Sequence, residues 1–213
     1  MRWLLIACAI VLASRQAAAK IVIMEPPLVR ACQTAKSWPL LMDCMKQHGL
    51  KGTIVRQIDG AKLLVVQSVE DNNGGEIEAW ALYVASGTGW KLGGLLQNGG
   101  NLADSEVVRF ERLTAGSRHG YRFDIATSQQ SAVSLDQVTA QVSTLHQTQA
   151  TFCSGATYSC MTVIPSCTQL VFGQAVLAFE GSIAVGDNQI QVTGIGTQPQ
   201  SCSSVGTYTA MFQ

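Results

Sequence analysis

Past Arg122 this 213-residue sequence contains no lysine and no arginine, and charged residues make up only 13% of the whole. Fourteen bases balance fourteen acids. That balance leaves no net field to advertise nucleic acid or an anionic membrane as a partner. Histidine is scarce too, with only His48, His119 and His146. None has another histidine or an acid at metal-ligand spacing, and there is no His-Glu-x-x-His helix and no Gly-x-Ser-x-Gly elbow. Aromatics are 7% of the chain, and Trp3, Trp38, Trp80 and Trp90 form no ladder for stacking sugars or bases. No repeat of fixed period is present. What remains is 47% hydrophobic, enough to build a core and too apolar for a disordered chain. The length suits one or two domains.

The longest apolar run, Trp3 to Ala13, follows Arg2 and leads to Ala17-Ala18-Ala19. A charged start, a short apolar stretch and an Ala-x-Ala end predict an export signal over residues 1–19, with cleavage before Lys20. The run is too short for a membrane span, which needs about 20 apolar residues. Leu5-Ile6-Ala7-Cys8 has the look of a lipid-attachment box, but too few apolar residues precede Cys8, so it reads as part of the signal. The expected mature chain has no transmembrane segment and keeps six cysteines: Cys32, Cys44, Cys153, Cys160, Cys167 and Cys202. An even number in an exported chain predicts disulfides. Cys32 and Cys44, twelve positions apart, are expected to pair locally, and the other four among themselves. Cys153, Cys160 and Cys167 read as a loop region to which Cys202 pins the final strand.

Hydrophobic periodicity predicts a mainly β fold: an antiparallel β-meander with one N-terminal helix, continued by a disulfide-rich all-β C-terminal half. After an extended lead from Lys20 to Arg30, Ser37 and Pro39 start a helix that Gly49 ends. Leu40, Leu41, Cys44 and Met45 fall near one face of it. Thr53–Ile58 and Lys62–Ser68 flank Asp59-Gly60, a pair suited to the positive φ angles of a tight hairpin. Ile77–Ala85, Trp90–Leu96, Val107–Leu113 and Tyr121–Ala126 continue the meander. In the last, Tyr121, Phe123 and Ile125 alternate with Arg122 and Asp124. Toward the C-terminus strands are expected around Val138–Val142, across Leu170–Phe179 as one strand apolar on both faces, at Ile183–Val185, at Gln189–Ile195 and from Thr207 to Phe212. The charge shift predicts a seam at Ser128–Ser131. It divides the mature chain into a helix-plus-sheet unit over 20–127 and a polar disulfide-bonded β unit over 128–213, as two domains or one.

Candidate chemistry is sparse. Gly116-Ser117-Arg118-His119-Gly120 gathers a serine, an arginine and a histidine, but it reads as a turn. Gly87-Thr88-Gly89-Trp90-Lys91-Leu92-Gly93 lacks the Gly-Lys-Ser/Thr of a phosphate loop. Asp71, Asn73, Glu76 and Glu78 cluster oxygens without the Ca²⁺-loop order of ligands, and Glu76 with Glu78 reads as a wet strand edge. No catalytic, metal-binding or cofactor-binding residue is therefore assigned, and no cofactor is expected. Ser154-Gly155-Ala156-Thr157-Tyr158 is similar to a string in periplasmic lysozyme inhibitors. That likeness spans five residues and implies an inhibitor of a hydrolase. The residues themselves point to an exported, non-catalytic envelope or extracellular protein that binds a protein or surface partner and no nucleic acid. A secreted hydrolase using dispersed carboxylates is the alternative.

Overall fold

Ser37, extended at φ −153°, and Pro39 in the first turn start a ten-residue helix, and Gly49 at φ +70° ends it. The computed structural model describes residues 27–69, 79–97, 104–115, 118–135, 139–187, 189–196 and 204–209. The expected signal, the Asp71–Glu78 oxygen cluster and Cys202 lie outside them. The chain opens with a one-turn helix α1 (Pro27–Arg30), a two-residue strand β1 (Thr34–Ala35) and the long helix α2 (Trp38–Gln47). The lead was expected to be extended throughout. Pro27 instead occupies the first helical position, where its missing N–H costs nothing, and Leu28 and Val29 become buried. On α2, Leu41 and Met45 face inward one turn apart, whereas Leu40 is exposed.

Four longer strands, β2 (Leu50–Ile58), β3 (Ala61–Ser68), β4 (Ala79–Ser86) and β5 (Gly89–Leu96), complete the first sheet in the order β1-β5-β4-β3-β2. Asp59-Gly60 turns β2 into β3 as expected, with Gly60 at φ +71°. β3 and β4 are nearly continuous apolar runs because both of their faces are covered. Leu64, Val66, Ala81 and Tyr83 pack under the helices with Leu28, Leu41 and Met45. Leu63, Val65, Trp80 and Leu82 pack the other way, against Val107, Phe123 and Ile125.

Those last three residues belong to the second sheet: β6 (Ser105–Ala115), β7 (Arg118–Leu135), β8 (Thr139–Cys153), β9 (Cys160–Val171), β10 (Gln174–Val185), β11 (Gln189–Gly196) and β12 (Gly206–Thr209). Each strand pairs antiparallel with the next along the chain. The molecule is thus layered as helix, sheet and sheet. In β9, Ile164 and Pro165 together oppose Gln149 of β8, because pairing jumps from Thr148–Ser166 to Ala150–Val163. Such a bulge bends its strand and accommodates a proline that has no N–H to donate. Beyond the bend Ile183, Ile190, Val192 and Tyr208 come from the last three strands to pack with Ala115, Ala150 and Phe152.

The change of sheet falls between β5 and β6, and β7 runs through Ser128–Ser131. Two expectations meet a different outcome. Leu170–Phe179 is not one strand: Phe172 at φ +51° and Gly173 at φ +76° form a two-residue turn between β9 and β10. Paired positive φ angles ordinarily call for Asn-Gly, and Phe172 gives no such signal. Cys153, Cys160 and Cys167 lie on strands rather than in a loop. Cys153 closes β8 directly opposite Cys160 at the start of β9, and the two are bonded. Cys32 and Cys44 are bonded as expected. Cys167 is disulfide-bonded as well.

Candidate binding face

The outer surface of the second sheet is built by simple alternation. Glu106, Ala126, Thr148, Ser166, Glu180 and Ile195 stand opposite one another in a row across β6 to β11. Ser128, His146, Thr168 and Ala178 make the next row across β7 to β10. Ser182 faces Thr193, Ala184 faces Gln191 and Thr207, and Gln189 faces Thr209. All of these side chains are exposed or half-exposed. Neighbouring strands lie about 4.8 Å apart, and same-face residues recur about 6.7 Å along each strand. The result is a regular field of hydroxyl and amide groups, interrupted by Glu106, Glu180, His146 and the exposed Ile195. Ser182 and Thr193 hydroxyls hydrogen-bond across the strands at 3.0 Å.

Where the four strands β6 to β9 meet this field, a hollow of about 550 Å³ opens. Small residues, Ala126, Ser128 and Ser166, line it together with Asp104, Glu106 and His146. None of its twelve lining residues is a lysine or an arginine. Thr127 Oγ1 is buried at the same place without a hydrogen-bond partner. Two carboxylates, an imidazole and several hydroxyls can donate and accept hydrogen bonds to a polar or cationic group.

The last two bases of the chain lie elsewhere. Arg122 grips Asp124 with two parallel hydrogen bonds of 2.8 Å, from Nε to Oδ1 and from Nη2 to Oδ2. Paired forks of this kind are the stronger class of charged hydrogen bond. Arg109 Nε adds a 3.5 Å contact to Asp124, and the Arg122 guanidinium sits 5.4 Å from the Phe152 ring centre. Asp124 is only 5% exposed. Alternation correctly separated this pair from Phe123 and Ile125. It gave no sign that β10–β12, far along the chain, would supply the neighbouring core. Arg118 also leads β7, opposite Ala115.

The histidines are dispersed. His48 follows α2, with its backbone N–H donating to the Cys44 and Met45 carbonyls. A nitrogen of its ring lies within 4.8 Å of Cys32 and Cys44 Sγ, but both sulfurs are joined to each other. His119 is on β7, with Nδ1 3.4 Å from Thr114 Oγ1. Only His146 reaches the hollow. Gly87 and Thr88 form the β4–β5 turn rather than a phosphate cradle. Sequence reading missed an aromatic cluster assembled from four separate elements: Trp38 and Trp90 meet edge to face at 5.2 Å, Trp38 also meets Tyr83, and Lys62 Nζ lies 5.1 and 5.2 Å from the two indole centres. Lys62 also hydrogen-bonds Gln57. Tyr83 O–H donates to the Cys32 carbonyl at 2.8 Å, and burial pushes its phenol pKa well above the usual value. No periodicity links residues 38, 62, 83 and 90, so only the folded chain brings them together.

The two halves of the molecule are joined at glycines. The 154–159 turn of the second sheet docks on β5: Leu95 N–H donates to Tyr158 O at 2.9 Å, and Gly155 N–H to Gly93 O at 3.1 Å. A Cβ at Gly94 would stand 2.6 Å from Cys153 Sγ and 2.7 Å from Cys160 Sγ. The Ser154–Tyr158 string singled out above is therefore a pinned connection, with Tyr158 partly exposed at its end.

Fold and face together define a helix-covered, disulfide-stapled pair of antiparallel sheets with one broad polar surface. No family model, curated protein or solved structure matches the chain. Among the described residues no helix is long and apolar enough to cross a membrane.

Proposed function

We propose that this is an exported, non-catalytic binding protein of the cell envelope or extracellular space, and that it meets a protein or surface partner through the outer face of its second sheet. The observation that carries this reading is the face itself. Its rows present Ser, Thr and Gln from β7 to β12 without one lysine or arginine, on strands whose opposite side chains build the core. Hydroxyls and short amides lose little conformational entropy on contact and hydrogen-bond adaptably, which suits a polar interface. The disulfides and the expected signal support export, since such bonds persist in oxidising compartments.

Binding of the labelled mature protein to envelopes isolated from the producing cells tests the reading. Thr168→Arg and Thr193→Arg should each weaken that binding about tenfold or more, because a buried unpaired charge at a contact costs several kcal/mol. Replacing His48 and His119, which belong to none of these rows, with glutamine should leave it within about twofold, as expected for substitutions away from the contact. Retention after both arginine substitutions would overturn the assignment of the face.

Asp104, Glu106 and His146 around one hollow favour the hydrolase as the second reading, because paired carboxylates can divide acid and base roles. Hydrolysis of any envelope polymer that disappears in Glu106→Gln, with the fold intact, would establish that reading instead.

A further inference from the structure

β7 is eighteen residues long, and its two sides are unequally used. β8 pairs with it from Tyr121 to Leu135. β6 pairs with it only from Arg118 to Thr127. Over Ser128–Leu135, one edge of β7 thus has no neighbouring strand among the described residues. Open edges are templates for pairing with another chain, and proteins blunt them with bulges, charges, proline or brevity. The outermost strands of the two sheets show those devices. β2 carries Lys51 and Arg56 and a bulge between Ile54 and Arg56, and Arg56 donates across to Val107 O at 2.6 Å. β6 has a bulge between Val107 and Arg109 and bears Glu106, Arg109, Glu111 and Arg112. β1 has two residues and β12 four. The Ser-Gln-Gln-Ser-Ala-Val-Ser-Leu edge has no charge and no proline, and its register with β8 is unbroken.

We propose that Ser128–Leu135 is a strand-pairing edge that joins a second copy of the same chain, antiparallel and about a two-fold axis. A second copy presents an edge of the same length, and self-pairing of a neutral sequence sets no like charges against each other. A two-fold contact of this kind closes on itself and leaves neither copy of this stretch open. The incoming strand pairs along Ser128–Leu135, past the last described β6 pair at Ser105–Thr127, so the two seven-stranded sheets become continuous. This inference uses the backbone edge of β7 rather than its outer face, although Ser128 belongs to both.

Full overlap sets Gln129 of one copy opposite Ser134 of the other. Sedimentation equilibrium of the mature, oxidised protein should show the mass doubling as concentration rises. The double variants Gln129→Lys/Ser134→Lys and Gln129→Glu/Ser134→Glu should each dissociate at concentrations about tenfold or more higher than wild type, because like charges directly opposite across strands repel. Mixing the two in equal amounts should restore the dimer, a recovery that misfolded variants would not give. Circular dichroism of each variant checks the fold. A wild type that stays monomeric, or a dimer indifferent to these charges, overturns the proposal. A monomer that instead binds a synthetic Ser128–Leu135 peptide would assign the edge to a foreign strand and overturn it as well.

Discussion

The two sheets use the same antiparallel pairing and bury their faces differently. The first is covered twice, by helices and by the second sheet, and its central strands have become almost wholly apolar. The second is covered by the first sheet at one end and by its own last strands beyond the β9 bend, while its outer surface stays open and polar. Burial on both sides removes freedom of sequence, and an open face returns it. That freedom has been filled here with serine, threonine and glutamine rather than with the lysine and glutamate usual on a solvated sheet.

Substitutions ordered by size sharpen this contrast. Leu82→Ala removes a fully buried side chain from between the sheets and should cost about 2–5 kcal/mol in urea unfolding. A loss below about 1 kcal/mol would mean the sheets pack loosely there. Gly94→Ala places a methyl against the Cys153–Cys160 bond and should cost about 1–3 kcal/mol by overpacking. The reduced protein should lose less from the same change, because separated sulfurs can move aside.

Tyr83→Phe leaves the Cys32 carbonyl without its phenol donor and should cost about 1–2 kcal/mol near neutral pH. It should also flatten the alkaline limb of stability. The folded phenol has a raised pKa, whereas the unfolded phenol ionises near pH 10. Its contribution is then fully present below about pH 10 and is lost as pH climbs from there toward the folded value. A wild-type limb no steeper than that of Tyr83→Phe would contradict the burial of this group. Smallest of all, Thr193→Ala on the open face should shift stability by no more than about 0.5 kcal/mol. A larger loss would show that its bond to Ser182 holds β10 and β11 together.

The sequence made local features legible and long-range ones obscure. The α2 helix followed from Ser37, Pro39 and Gly49, the first hairpin from Asp59-Gly60, and the Cys32–Cys44 bond from proximity along the chain. The Phe172 turn stayed hidden because a phenylalanine in a left-handed conformation contradicts its own preference. The passage from one sheet to the other was equally silent, since nothing in Val107–Leu113 or the polar residues before it marks the start of a new sheet. The polar face was visible only as scattered Ser, Thr and Gln. Its rows needed strand register, which turn residues set only where they announce themselves. The hollow joins Glu106 to Ser166, sixty positions apart, and no spacing rule spans that distance.

The bidentate grip of Arg122 on Asp124 has a consequence for digestion. Arg122 is the last residue after which trypsin can cut, and its side chain is held against Asp124 in the middle of a strand paired on both sides. A protease must lift β7 out of the sheet before it can seat that arginine in its specificity pocket. Everything from Phe123 onward offers trypsin no second site. Cleavage of the native chain should therefore trim the first half and stop, leaving a long C-terminal fragment whose release times the opening of the second sheet.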